Sequence, residues 1–341
     1  MNRKINPRVT LVESLAIQFA RDYLRSEGFM EMFPSNIVRA SGACENINTL
    51  FEVGSNGRLD WFLDENGNGR QVYLAQTKQL YLEAYVPYFE KTYCMGSSFR
   101  AEAAVDDRHL TEFGLLEIEF EGGFEQLLQY IEGTLRAMVF GFSKLNRKML
   151  EATKMPKRIC ELLFQQGECY PRITYDEAIE CLIKLGCDIK WGDDISSDFE
   201  KVLVREVGNR PLFITHYPDP QWPRKKENEV EKFFNMLPDK KGNVLSADLI
   251  LPFGGEAVGA AARVHKPDEL VSRLTKSKMF KNLVEQSGSI DDFSWYIENI
   301  QEKSVAHAGC GFGIARIMQW ILGEEKIGDA VSFAPNRASV I

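Results

Sequence analysis

Apolar residues recur at helical spacing in the first part of the chain. In VTLVESLAIQFARDYLRSEGF they fall at positions 11, 12, 15, 19, 23 and 24, which form one face of a helix that ends before Gly28. FEQLLQYIEGTLRAMVFGFSKLNRKML shows similar spacing and predicts a second, long amphipathic helix. QLYLEAYVPYFEK predicts a shorter helix between these two.

Alternating and short apolar segments predict strands. TLFEVGSNGRLDWFLDENGNGRQVYLA alternates and contains N-G and G-N-G turns, which are typical of hairpins. KTYCMGSSFRAE and FGLLEIEFEGG are strand-like, and ADLILPFGGEAVGAAARVH predicts a strand, a turn and a strand. HAGCGFGIARIMQWILG predicts a glycine-rich turn that leads into a helix from about Ile314. Central antiparallel strands with flanking helices predict an α+β fold, in one domain over residues 1–341.

Composition narrows the functional classes. The chain is 44% hydrophobic and 26% charged, as in an ordinary globular protein, and its net charge of −8 provides no general attraction to nucleic acid. Seven cysteines without a C-x-x-C pair, and only four histidines, argue against a zinc site. MNRKINPRVTLVES has no apolar signal core, and no run of 18 apolar residues occurs. We therefore expect a cytoplasmic protein without membrane contact.

Two arginines in SSFRAEAAVDDRHLTEF are candidate phosphate ligands. Arg100 and Arg108 lie on or beside two adjacent predicted strands, so both guanidinium groups could face one polyphosphate. Phe113 could stack under a purine. Taken alone, the simpler interpretation is a pair of surface arginines that form ion pairs with Glu102 and Asp107.

Two further patterns are compatible with nucleotide chemistry. GCGFGIAR places Gly309, Gly311 and Gly313 before a predicted helix, whose N-terminus favours anions; glycines that permit tight helix packing are the alternative. The third glycine of a dinucleotide fingerprint is missing, and a P-loop is excluded because G-K-[ST] does not occur. Asp248 and Glu256 flank LILPFGG and could hold Mg²⁺, although two solvated acids would show the same pattern.

Together these segments resemble the class II aminoacyl-tRNA synthetases. FRAE and RHLTEF are similar to motif 2, HAGCGFGIARIMQWILG to motif 3, and the first helix with Pro34 to motif 1. VYLAQTKQLYLEA and GGEAVGAAARVH resemble the aspartyl/asparaginyl subclass, nearer the asparaginyl side. The resemblance runs from about residue 8 to the C-terminus. It implies about six antiparallel strands flanked by helices, a homodimer, and bound ATP and Mg²⁺.

The resemblance also implies roles for individual residues. Arg100 and Arg316 are the expected catalytic residues. The expected ATP ligands are Arg100, Glu102, Arg108, His109, Leu110, Phe113, Gly313 and Arg316. The expected amino-acid ligands are Glu45, Gln76, Lys78, Gln79 and Arg263, and the expected Mg²⁺ ligands are Asp248 and Glu256.

Some features depart from this family and shape the functional prediction. The pattern begins almost at Met1, so we expect no anticodon-binding domain, and Gly259 and Ala315 replace a usual serine and a usual acid. AAVDD after Arg100 places acid where the acceptor end of a tRNA would approach, so tRNA is not expected as a partner. We predict an AMP-forming ligase that adenylates aspartate and transfers it to ammonia or a small amine, like the archaeal asparagine synthetases related to asparaginyl-tRNA synthetase.

Three alternatives stay open from sequence. The chain could be an asparaginyl- or aspartyl-tRNA synthetase paralogue that acts on tRNA, an amide ligase of a specialised biosynthesis, or a catalytically dead regulator. The activated amino acid, aspartate or asparagine, depends on Lys78. Aspartyl enzymes carry a lysine at Leu82, and Lys78 shares its helix face, so Lys78 could supply a cation to a substrate carboxylate. An exposed lysine is the alternative.

Overall fold

A computed structural model describes residues 5–44, 46–222 and 230–339. Within them, the helices are α1 (Pro7–Ser26), α2 (Gln79–Glu83), α3 (Val86–Phe89), α4 (Phe124–Ser143), α5 (Arg147–Thr153), α6 (Pro156–Gln166), α7 (Tyr175–Lys184), α8 (Ser197–Glu206), α9 (Pro267–Lys276), α10 (Lys278–Glu285), α11 (Ser294–Glu302), α12 (Ile314–Leu322) and α13 (Ile327–Ala330). Short 3-10 helices occupy Ala40–Gly42, Ile47–Thr49 and Ile290–Phe293.

The strands of the described residues build one large sheet and two small ones. They are β1 (Met30–Glu31), β2 (Ile37–Val38), β3 (Phe62–Leu63), β4 (Gly69–Arg70), β5 (Tyr73–Leu74), β6 (Lys91–Phe99), β7 (Glu112–Glu121), β8 (Arg172–Thr174), β9 (Leu212–Thr215), β10 (Ser246–Leu251), β11 (Gly255–Ala262) and β12 (His307–Gly313). The pairs β2–β5 and β3–β4 form the small sheets.

The large sheet has the strand order β1-β6-β7-β12-β11-β10-β9-β8. The six central strands, β6-β7-β12-β11-β10-β9, pair with one another in antiparallel fashion. At the two edges, β1 pairs parallel to β6 and β8 pairs parallel to β9. The α+β prediction with a six-stranded antiparallel centre is confirmed, and a short parallel strand extends each edge. The single-domain organisation stays a prediction.

Helices cover both faces of this sheet. One core joins α1, α4, α6 and α12 to the sheet through buried residues such as Val12, Leu135 and Trp320. A second core joins α7 to α11 and includes Tyr175 and Tyr296. Burial of these apolar side chains is the main driving force for the layered arrangement.

Helix α1 forms as its pattern predicts. Asn6 caps it by accepting a hydrogen bond from the backbone N–H of Val9 at 3.4 Å, and Pro7 occupies the first helical turn. The long helix predicted after residue 123 is instead two helices. Asn146 interrupts it because its side chain accepts from the backbone N–H of Met149 at 3.0 Å and starts α5.

The glycine-rich segment before Ile314 is a central strand, β12, and the prediction of a turn there is wrong. Gly309 lies opposite Glu119 of β7, and a Cβ atom on Gly309 would lie 2.0 Å from the Glu119 carboxyl carbon. Glycine is required here because the buried carboxyl group occupies the space of a side chain. In the part of the chain that the structure describes, no helix is long and apolar enough to cross a membrane.

Candidate active site

One face of β7 forms the floor of a cavity of about 450 Å³. Side chains alternate along a strand, so residues 113, 115, 117 and 119 face the cavity while Leu116, Ile118 and Phe120 enter the core under α1 and α4. Strands β10, β11 and β12 and the loop after β6 complete the walls. The cavity is rich in charged groups, and each of its two ends combines arginine with buried carboxyl groups.

The loop between β6 and β7 is held by its own acidic residues. Asp106 Oδ1 accepts hydrogen bonds from the backbone N–H groups of Arg108 and His109, and Asp106 Oδ2 lies 2.7 Å from His109 Nδ1. The Asp107 carboxylate forms an ion pair with Lys326 at 3.0 Å. The backbone carbonyl of Asp107 accepts a hydrogen bond from the backbone N–H of Ile327. Both acids are therefore engaged by this chain itself.

Arg100 and Phe113 lie against each other at the cavity wall. The Arg100 guanidinium is 5.6 Å from the centre of the Phe113 ring, which is a cation–π distance. Arg100 Nη2 also approaches Cys44 Sγ at 3.6 Å. An aromatic face beside a guanidinium suits a ligand that carries both a flat ring and a phosphate.

Arg316 lies at the start of α12 and is bonded to β11. Its guanidinium donates to the backbone carbonyl of Glu256, and the Glu256 N–H donates to Glu200 Oε2 at 3.3 Å. Burial and the Glu256 charge raise the pKa of Glu200 to about 7, while Arg316 and Arg108 oppose this rise. Arg108, Arg316, Glu256 and Glu200 thus meet at one end of the cavity.

Asp248 and Glu256 face the same space between β10 and β11. Asp248 is paired in register with Gly259, and a Cβ atom on Gly259 would lie 3.7 Å from Glu256 Oε1 and 3.9 Å from Asp248 Oδ1. Two carboxylates around an open position are a suitable donor set for Mg²⁺. Lys232 forms an ion pair with one of these carboxylates, because its Nζ is 2.8 Å from Asp248 Oδ2. The same Nζ lies 3.7 Å from the centre of the Tyr217 ring.

The opposite end contains Arg263 within a buried polar network. Arg263 donates to Glu119 from Nη2 at 2.7 Å and from Nε at 3.3 Å, and its Nε is 3.8 Å from Glu83 Oε1. Burial raises the pKa of Glu119 to about 7 against the opposing Arg263 charge. Burial would also raise the pKa of Glu83, but the bond to His307 and the charges of His307 and Arg263 lower it to about 2.

The segment Gln76 to Gln79 supports this end. Gln79 lines the cavity. Gln76 is buried, and its amide is engaged with the neighbouring loop through Cys44 N–H and Thr49 Oγ1. Lys78 is only 3% exposed, so an exposed lysine is excluded; its Nζ donates to the Ser97 carbonyl at 3.2 Å. Burial lowers the pKa of Lys78, and the Glu117 charge acts in the opposite direction.

The structure brings most of the expected site residues to one cavity. The lining residues include Gln79, Arg100, Glu102, Arg108, His109, Leu110, Phe113, Asp248, Glu256, Arg263, Gly313 and Arg316. Gln76 and Lys78 lie behind the cavity wall, and Glu45 lies outside the described residues. Ala315, which departs from the family pattern, packs with Leu110 and Ile327. The roles of all these residues stay predictions.

Several polar residues at the cavity are absent from the sequence-based set. They include Glu117, Glu119, Glu200, Tyr217 and Lys232. A signal existed for the two on β7, because acids at alternating positions of an otherwise apolar strand all face one side. Glu200 lies on the amphipathic helix α8, and Tyr217 and Lys232 lie in segments without regular secondary structure, so only the folded chain reveals their place at the cavity.

Comparison with known proteins decides the family. The family model of tRNA synthetases class II (D, K and N) matches residues 2–337. The chain belongs to this family of class II tRNA synthetases. The asparagine–tRNA ligase of Pyrococcus abyssi is 33% identical over 332 residues, which cover 96% of this chain and 68% of that protein. The asparagine–tRNA ligase of Chloroflexus aurantiacus is 32% identical over 332 residues, which cover 94% of this chain and 67% of that protein.

Solved structures of class II synthetases have the same fold. The asparaginyl-tRNA synthetase of Pyrococcus horikoshii, complexed with asparaginyl-adenylate, superposes with a TM-score of 0.80 at 31% identity and covers 98% of this chain and 70% of that one. The asparaginyl-tRNA synthetase of Entamoeba histolytica gives a TM-score of 0.76 at 26% identity, over 98% of this chain and 68% of that one. As a class II synthetase, the chain is an ATP-dependent ligase that activates an amino acid, and its family uses ATP and Mg²⁺.

The prediction that tRNA is not a partner is wrong. The relatives that match nearly the whole chain are tRNA ligases. The two acids of the loop have structural partners within this chain. Asp106 is bonded to the loop backbone and to His109, and Asp107 is paired with Lys326.

Proposed function

We propose that this protein activates asparagine with ATP and transfers it to tRNA. Relatives that match nearly the whole chain are asparagine–tRNA ligases, and the solved structures of two similar asparaginyl-tRNA synthetases contain asparaginyl-adenylate. The observation in this chain that supports the proposal is the charge pattern of the cavity. One end gathers arginines, and the other end has its cations already matched by buried carboxyl groups.

The arginine end suits the activation half-reaction. A carboxylate oxygen of the amino acid attacks the α-phosphorus of ATP, the bond to the bridging oxygen breaks, and pyrophosphate leaves with that electron pair. Arg100 beside Phe113 would hold the α-phosphate and the adenine, and Arg108 and Arg316 would hold the outer phosphates. Positioning and charge neutralisation supply most of the catalysis of such transfers.

Asp248 and Glu256 fit a divalent cation at this end. Their carboxyl groups face one open position at Gly259, and carboxylate oxygens are the protein ligands that Mg²⁺ prefers. Bound Mg²⁺ would neutralise charge on the phosphates. Lys232 supplies a positive charge at Asp248, and Arg316 holds the Glu256 backbone, so this chain keeps both carboxyl groups in place.

The other end favours a neutral side chain over a carboxylate. It contains two basic side chains, one histidine and three carboxyl groups, namely Arg263, Lys78, His307, Glu83, Glu117 and Glu119. A substrate carboxylate would add negative charge to a buried region whose cations already have acidic partners, at a large desolvation cost. A carboxamide adds no charge. Asparagine is therefore the expected substrate, and aspartate is the second candidate.

Transfer to ammonia or a small amine was predicted from the acidic loop. The relatives that match nearly the whole chain are tRNA ligases, so tRNA is the proposed acceptor. A catalytically dead regulator is disfavoured because the arginines, Phe113 and both candidate metal ligands meet at one cavity.

Pyrophosphate exchange tests the activation step. Exchange into ATP is measured with asparagine and with aspartate as the only amino acid, and we expect a clear preference for asparagine. Absence of exchange with both would overturn the activation proposal. The acceptor is then tested by adding either purified tRNA or ammonia with labelled amino acid. Charged tRNA supports the proposal, whereas free asparagine formed from aspartate and ammonia contradicts it.

A homodimer formed near the sheet edge is also proposed. Ile5 beside α1 is 84% exposed and Phe33 after β1 is 89% exposed. Large apolar side chains with such exposure next to an edge strand are typical of an interface. Sedimentation equilibrium of the wild type and of Phe33→Glu tests this proposal, and a monomeric wild type contradicts it. The cytoplasm is the proposed compartment.

A further inference from the structure

Lys232 is held at the candidate metal position of the cavity by two contacts. Its Nζ lies 2.8 Å from Asp248 Oδ2 and 3.7 Å from the centre of the Tyr217 ring. Ion pairing and a cation–π contact therefore act on the same ammonium group, and both are stronger where water is excluded. The Lys232 side chain is 13% exposed and that of Asp248 is 10% exposed. The lysine is consequently a fixed positive charge at the cavity wall.

Asp248 divides its carboxyl group between this lysine and the candidate Mg²⁺ position. Oδ2 accepts from Lys232, whereas Oδ1 lies 3.9 Å from the Cβ position of Gly259, where Glu256 Oε1 also points. A divalent cation bound by Asp248 and Glu256 would share one carboxylate with the ammonium group. Two cations on one carboxylate repel each other, and each weakens the attraction that this carboxylate offers to the other.

The charged groups at this end of the cavity balance one another. Three acids meet three basic side chains, namely Asp248, Glu256 and Glu200 with Lys232, Arg108 and Arg316. When all six are ionised their charges sum to zero, so a free divalent cation meets no net attraction and competes with Lys232 for Asp248. A polyphosphate changes this balance, because its negative charges can be shared by a metal ion and by the basic side chains.

We propose that Lys232 excludes free divalent cations from Asp248 and thereby makes metal binding depend on the nucleotide. The inference rests on the proposed function, since it concerns how Asp248 and Glu256 take up Mg²⁺. Without nucleotide, the ammonium group occupies Asp248 and lowers the affinity of both carboxylates for a second cation. With a nucleoside triphosphate, the phosphate oxygens supply the missing negative charge. Metal and nucleotide then bind cooperatively, and the coupling between them is reciprocal.

Binding of Mn²⁺ without nucleotide tests the proposal directly. Mn²⁺ takes the same oxygen ligands as Mg²⁺, and electron paramagnetic resonance measures its free concentration. We expect weak binding to the wild type, and binding to Lys232→Met that is about tenfold tighter or more, because one nearby positive charge is removed. Lys232→Arg keeps the charge and should bind Mn²⁺ as weakly as the wild type. If Lys232→Met does not fold, Lys232→Gln replaces it, since this neutral variant can still donate to Asp248.

Water proton relaxation measures the coupling to nucleotide, because it separates Mn²⁺ bound to the protein from Mn²⁺ bound to a non-hydrolysable ATP analogue in solution. The ratio of the Mn²⁺ affinities with and without the analogue should be large in the wild type. It should fall about tenfold in the neutral variants. Lys91→Met is the matched control and should change neither measurement. Lys91 Nζ also lies over an aromatic ring, 5.3 Å from the centre of Tyr130, and Lys91 is not among the described residues that line the cavity.

Three results would overturn the inference. One is equal Mn²⁺ affinity in the wild type and the neutral variants, which would mean that Lys232 only stabilises the fold. Another is a wild type that binds Mn²⁺ equally well with and without the ATP analogue. The last is tighter binding that persists when Asp248→Asn is added to Lys232→Met. A wild type that binds no Mn²⁺ under either condition is a different failure, because it overturns the proposed metal site at Asp248 and Glu256 and the inference with it.

Discussion

Asp106 is bonded to His109 twice, through the backbone N–H of His109 to Oδ1 at 2.9 Å and through the ring Nδ1 to Oδ2 at 2.7 Å. Oδ1 also accepts from the Arg108 N–H at 2.8 Å. The Asp106 carboxylate therefore builds the turn that presents two expected ATP ligands to the cavity. Several of these donors lower the pKa of Asp106 despite the opposing effect of burial, so it is charged at neutral pH.

Asp106→Ala should weaken ATP binding. Loss of a capping carboxylate leaves the two backbone N–H groups without their acceptor, at a cost of about 1 kcal/mol, and lets the Arg108 loop change shape. We expect a severalfold rise in the KM for ATP in pyrophosphate exchange, with a small change in the KM for the amino acid. Asp107→Asn is the control. Its ion pair with Lys326 joins side chains that are 61% and 62% exposed, so its loss should change little; an equal effect of both variants would contradict the role of Asp106.

Lys232→Met should make the protein more dependent on Mg²⁺. Lys232 neutralises Asp248 at 2.8 Å within a largely buried region, and its removal leaves the carboxylate short of a partner. The variant should melt at a lower temperature than the wild type without metal and gain more from added MgCl₂, because no lysine then competes for Asp248. Thermal unfolding with and without MgCl₂ measures both effects. Lys201→Met, at an exposed ion pair with Asp198, should match the wild type in its response.

Glu83 should make the fold sensitive to acid. Its pKa is about 2 in the folded chain, below the usual 4.5, so its contribution to stability is complete above pH 4.5 and is lost as pH falls toward 2. Glu83→Gln should lose about 3 kcal/mol at pH 7, because removal of the buried charge leaves His307 without its acidic partner. Urea unfolding at several pH values should show the two stability curves converging below pH 4.5. Curves that stay parallel over this range would contradict an ionised Glu83.

The Lys78→Met variant tests whether Lys78 has a structural role or binds the substrate. Lys78 Nζ donates to the Ser97 carbonyl, and the Lys78 N–H donates to Glu117 Oε2 at 2.8 Å, so the side chain lies on the protein side of the cavity wall. The variant should lower the unfolding temperature and leave the preference between asparagine and aspartate unchanged. A sharp rise in the KM for aspartate alone would instead assign Lys78 to a substrate carboxylate, as its helical spacing with Leu82 suggested. Lys303→Met, at a lysine that donates to the Pro87 carbonyl away from the cavity, is the control.

Local patterns were sufficient for much of the framework. The apolar face of α1, the alternation in β6 and β7, and the strand, turn and strand of β10 and β11 are each properties of a few consecutive residues. The prediction of one long helix after residue 123 is wrong because a single capping asparagine, Asn146, divides the segment into two helices. The prediction of a turn at residues 307–313 is wrong for another reason. Glycines lower the strand signal locally, whereas Gly309 is required there by a carboxyl group from a strand nearly two hundred residues earlier.

The amino-acid sequence by itself determined the α+β class, the motif order and the residue types that can bind phosphate, because these depend on short-range spacing and side-chain chemistry. Tertiary structure alone decided how those groups are used. It engaged Asp106 and Asp107 within the loop, buried Lys78 against Ser97, and brought Asn235 and Glu83 behind Gln79. These contacts join segments that are distant in the chain, and the charge state and direction of a polar group depend on the partners that folding places around it.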